Sequence, residues 1–177
     1  MKKSILLFSA LFLLFNSVLK GQNNAPPLPQ RSVTATVTQD LSFGDISVET
    51  TSTGGTVTVD YNGSRSSIGD VYPLNLGYPV HQAILEFHLC PGRSVKVVYD
   101  PVVQLKNGSS YMNLAIGEIC IGKTVITASG QSFFSNKGCN DTHYIEIGGT
   151  LTVGNLLANP HGEYTTISGF SVTLAQE

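Results

Sequence analysis

The sequence predicts an all-β fold, a two-sheet antiparallel β-sandwich, and three observations carry that expectation. Apolar and polar side chains alternate in short runs, Gly and Asn-Gly turns punctuate those runs, and no apolar set recurs at helical spacing with caps over three turns. The clearest run is written twice. Gly54-Gly55-Thr56-Val57-Thr58-Val59 returns as Gly148-Gly149-Thr150-Leu151-Thr152-Val153, with one Val-to-Leu change. Thr and Val are stiff at χ1 and suit a pleated surface, so each copy predicts a half-buried strand. The Gly pair predicts a tight bend or bulge just before pairing begins.

The 177 residues suit one domain behind a leader. Lys2 and Lys3 precede an apolar run from Ile5 to Phe15, and Lys20-Gly21-Gln22 follows. That is the form of a secretory signal peptide, residues 1–21, and the run is too short for a comfortable membrane span. Residues 22–31, with Pro26, Pro27 and Pro29, predict an extended arm. Residues 32–177 form the expected domain. The chain is then exported to the periplasm, cell surface or extracellular space, with no membrane span in the mature part. Beyond the leader seven basic residues face twelve acidic ones, a charge of about −5, and they do not cluster. Nucleic acid is therefore not an expected partner.

Along the domain, Val33, Ala35 and Val37 alternate with threonines and start the first strand. Leu41 to Val48 is a second apolar set around Gly44. The first Gly-Gly-Thr copy runs on to a turn at Asn62-Gly63, and Ser64 to Pro79 predicts a long connection. Ala83, Leu85, Phe87 and Leu89 share one strand face, with Glu86, His88 and Cys90 on the other. Pro91-Gly92 turns the chain into Val95, Val97 and Tyr99; Val103 and Leu105 lead to the turn at Asn107-Gly108. Met112 to Ile121 predicts a central strand weakened by Gly117, and Val125 to Ala128 another. Ile145, Ile147, Leu151 and Val153 share one parity, and Phe170, Val172 and Leu174 form the last strand.

Candidate chemistry is sparse. Of Cys90, Cys120 and Cys139, the expected disulfide is Cys120–Cys139, which closes a short Gly-containing excursion, with Cys90 open as an alternative partner. His88 and Cys90 are two apart on one strand, but His81, His143 and His161 stand alone as surface or loop residues, so no metal site is expected. No Ser sits in a nucleophile elbow and no Gly loop carries a phosphate-binding ending, so neither a catalytic residue nor a cofactor is expected. Asp45, Asp60, Asp70 and Asp100 occupy predicted turns, where aspartate bonds its own backbone. Asn62, Asn107 and Asn140 head glycan acceptor triplets. Tyr61, Tyr72 and Tyr78 either form a sugar- or peptide-binding platform or pack under the long loop.

Three blocks together resemble a known family: Val33-Thr34-Ala35-Thr36-Val37 with Leu41-Ser42-Phe43-Gly44; Gly54 to Asp60; and Gly148 to Val153 with Gly162-Glu163-Tyr164 and Phe170 to Leu174. Their order resembles a bacterial family of secreted domains of unknown function, similar to fimbrial major subunits of the Mat/Ecp type. The resemblance implies an immunoglobulin-like β-sandwich, export, and no enzymatic role. The functional expectation is a non-enzymatic structural or adhesive module, a fimbria-like or cell-surface subunit partnered by copies of itself or other surface proteins. The alternative is a secreted or periplasmic module that binds a glycan or small ligand.

Overall fold

The computed structural model describes residues 32–49, 51, 53–166 and 171–176. The expected leader, residues 1–21, the arm, residues 22–31, and Phe170 lie outside the described residues. Strands run in the order β1 (Ser32–Val33), β2 (Thr36–Gln39), β3 (Ser42–Phe43), β4 (Ile46–Val48), β5 (Gly55–Val59), β6 (Arg65–Gly69), β7 (Val71–Pro73) and β8 (Val80–His81). They continue with β9 (Ala83–His88), β10 (Ser94–Tyr99), β11 (Val102–Asn107), β12 (Ser110–Ile121), β13 (Thr124–Ile126), β14 (Gln131–Phe134), β15 (Thr142–Val153), β16 (Thr165–Thr166) and β17 (Val172–Gln176). All pairings are antiparallel, and no helix occurs among the described residues. The expected all-β class is the observed one.

The small sheet runs β1-β17-β10-β14, and the large sheet is built on β12 and β15. β15 has β12 along one side for most of its length. On its other side it is shared: Thr142–Ile147 pair with β9, and Gly149–Val153 pair with β5. Gly148 sits where the sheet forks and faces a residue in none of these ladders. Opposite the fork β12 carries a bulge, its register shifting between Ile116 and Ile119 around Gly117.

This fork corrects the expectation for the second Gly-Gly copy. The strand does not begin after Gly148-Gly149 but passes straight through them, and neither has positive φ. They are there for close approach. A Cβ on Gly148 would lie 2.5 Å from Val59 O, and one on Gly149 would lie 2.7 Å from Leu114 Cδ1. Gly54, in contrast, does take positive φ, at 89°. The two copies pair with each other. Val57 lies opposite Leu151, flanked by Thr58 opposite Thr150 and Thr56 opposite Thr152, so a local two-fold axis passes through the Val57–Leu151 pair.

One face of the large sheet is covered along its length. At one end Ile145, Ile147, Ile119 and Phe87 meet Val95, Val97, Phe133 and Leu174 of the small sheet. At the other end Val57, Leu114, Leu151 and Val153 pack with Val71 and with Phe43, Ile46 and Val48 from the ribbons β3–β8 and β4–β7. Odd-numbered residues of β15 serve both cores, so both coverings lie on the same face. Leu41 and Ile116 touch both clusters beside the fork. Each fully buried aliphatic or aromatic side chain contributes roughly 1.5–3 kcal/mol.

Candidate functional site

Ser64 to Pro79, expected as one long connection, contains β6 and β7. The Arg65-Ser66-Ser67-Ile68 stretch has no apolar alternation to betray a strand. The true excursion is shorter. β3–β8 and β4–β7 form one two-stranded ladder with a break: Phe43 faces Val80 and Ile46 faces Pro73. Gly44-Asp45 on one strand is thus opposed by six residues, Leu74 to Pro79, on the other.

That loop is pinned from beneath. Asp45 takes the Leu74 amide on its carbonyl at 2.9 Å and the Leu76 amide on Oδ2 at 3.2 Å. The Arg65 guanidinium donates to the carbonyls of Phe43, Asp45 and Leu74 at 2.9, 3.1 and 2.8 Å. Ser42 Oγ donates to Pro79 O at 2.7 Å. Hydrogen bonds from a charged donor are the stronger kind, so Arg65 fixes both strands and the loop together. Above this base Leu76 is 73 % exposed and Tyr78 is 72 % exposed, on either side of Gly77 with φ at 113°. Tyr72 on β7 is also exposed, and the charge of the nearby Glu49 carboxylate raises the tyrosine pKa. Of the three tyrosines considered for a platform, Tyr72 and Tyr78 are therefore not packed under the loop. Tyr61 is half-buried elsewhere.

Tyr61 lines the second feature, an open groove of about 370 Å³ on the outer side of the fork. Its lining takes in Gly117, Gly148 and Gly149 at the fork, the Asp60-Tyr61-Asn62 turn, Glu118, and Thr58 and Thr150. The two threonine hydroxyls bond each other at 2.9 Å. Asp60 Oδ1 accepts the amides of Asn62 and Ser64 at 2.8 and 2.9 Å, so this aspartate organises its turn as expected.

The expected Cys120–Cys139 disulfide is not formed. Cys139 is bonded to Cys90, and Cys120 is a buried free thiol. Strand adjacency explains the difference. Thr142, the first residue of β15, faces His88, which brings the segment before β15 to the end of β9 at Cys90. Cys120 faces Glu146, four residues or about 13 Å farther along. Burial, then the Glu146 carboxylate, raises the Cys120 pKa.

His143 is likewise not a surface or loop residue: it is 3 % exposed. Its ring stacks on Phe87 at 5.0 Å and meets Phe133 edge-on at 5.1 Å. Ser135 Oγ donates its one hydrogen to Leu89 O at 3.0 Å, so it accepts from His143 Nε2 at 2.9 Å. The signal was in the sequence, since His143 shares the parity of Ile145 and Ile147. His88 Nδ1 lies 3.2 Å from Asp141 O, and Cys90 is spent in the disulfide, so they form no ligand pair. Among the described residues no group of three His, Cys, Asp or Glu is placed to hold a metal ion, and no helix is long and apolar enough to cross a membrane.

The fold and these surfaces define an antiparallel β-sandwich protein with a forked main sheet. Residues 33–175 match the family model described as Domain of unknown function (DUF4402), and the chain belongs to that family. No curated protein and no solved structure matches it.

Proposed function

We propose that the chain is an exported, non-enzymatic structural or adhesive module, a fimbria-like or cell-surface subunit that docks through the Leu76-Gly77-Tyr78 projection. The observation that carries this reading is the pinned loop. Two apolar side chains more than 70 % exposed stand on a base held by Arg65 and Asp45, so little ordering is needed on contact. Exposed aliphatic and aromatic groups on a rigid base are what an interface anchor requires. The blocks that resemble Mat/Ecp-type fimbrial subunits support the same reading. The partner is a copy of the chain or another surface protein.

A double substitution, Leu76→Ser with Tyr78→Ser, tests it. Sedimentation velocity should show concentration-dependent association of the parent chain, and cells displaying it should adhere to one another. The double variant should keep its melting temperature and lose both properties. A parent chain that stays monomeric and non-adhesive at every concentration would sink the reading.

A further inference from the structure

We propose that the groove at the sheet fork is a binding site for a neutral saccharide, separate from the docking loop. Its volume of about 370 Å³ lies in the range of small-ligand clefts. The fork makes it: β12 bulges away, β5 and β9 part company, and Gly117, Gly148 and Gly149 bring no side chain into the space. The groups that line it are mixed in kind. Of the two hydroxyl hydrogens on Thr58 and Thr150, one is spent between them and the other is left to donate. Asn62 adds an amide, Asp60 and Glu118 add acceptors, and Tyr61 adds an aromatic ring with a polar tip.

A sugar ring answers this set, because each hydroxyl both donates and accepts while its C–H face suits an aromatic ring. An anionic ligand meets two carboxylates and is repelled. A metal ion needs more than this lining provides, since Asp60 Oδ1 is already occupied by two amides.

The test is an amide-resolved NMR titration of the full chain with glucose, galactose, mannose, N-acetylglucosamine, lactose and maltose. At least one should shift the amides of Gly117, Gly148 and Gly149. Glu118→Gln and Thr150→Val should each keep the fold by amide spectrum and weaken that sugar about tenfold or more. The Leu76→Ser, Tyr78→Ser variant should bind it unchanged, which separates this site from the docking loop. The proposal is overturned if none of the six sugars moves those amides, if calcium chloride moves them and sugars do not, or if both groove variants bind like the parent.

Discussion

Protonating His143 means placing a charge between Phe87, Phe133 and the buried Ser135 hydroxyl. Burial first, and then the Lys137 ammonium, hold its pKa below the ordinary value. Asp141 pulls the other way and His88 adds to the lowering, but the direction is down. The unfolded chain thus takes up the proton first, near pH 6.5. The stability tied to neutral His143 is complete above about pH 6.5 and is lost as pH falls through the lower folded value. Urea unfolding at about pH 7.5 and about pH 5 should show the parent losing stability on acidification, and His143→Phe losing less of it. The difference between the two proteins isolates the buried imidazole, since every other side chain is common to both. At the same scale, Arg65→Met removes the donor to three carbonyls and should cost at least about 2 kcal/mol. Hydrogen exchange should rise at Leu74 and Leu76, whose amides Asp45 holds.

Among elements, the fork makes the sharpest contrast between two glycines. A Cβ on Gly148 would be 2.5 Å from a β5 carbonyl oxygen, whereas one on Gly117 would meet nothing closer than 3.6 Å. Gly148→Ala should cost about 1–3 kcal/mol or more, and Gly117→Ala less than about 1 kcal/mol, by denaturant unfolding. How far the sequence reveals such features depends on whether they are local. The long alternating strands β9, β10, β12 and β15 were legible because one covered face imposes a period of two on each. The short, polar β6 was not, because an edge strand in which Ser66, Ser67 and Ile68 are all exposed has no face to bury. The disulfide was misread because spacing along the chain says nothing about which strand ends meet. The groove and the pinned loop needed the register of several ladders at once, and nothing local in the Ser64 to Pro79 stretch marks Arg65 as the residue that holds three carbonyls.

For the whole molecule, β12 and β15 thread both cores, which makes the cores one cooperative unit. Ile145→Ala in one core and Leu151→Ala in the other should each cost about 2–5 kcal/mol, with a single unfolding transition in both variants. Separate melting of the two ends by calorimetry would contradict this. The Cys90–Cys139 bond spans 49 positions, ties β9 to the entry of β15, and constrains the unfolded chain. Cys139→Ser should lower stability by about 3–4 kcal/mol in non-reducing urea titrations. Cys120→Ser should leave the disulfide in place.

The pairing of Ser32 with Ala175, at the outer margin of the small sheet, bears on how such a chain responds to being pulled. Tension entering before Ser32 and leaving beyond Gln176 acts at the same end of two antiparallel neighbours, so it peels them apart one rung after another instead of shearing all rungs together. With two residues in that first ladder, stretched chains would yield at β1 and lengthen by a few residues while the forked sheet and the disulfide stay whole.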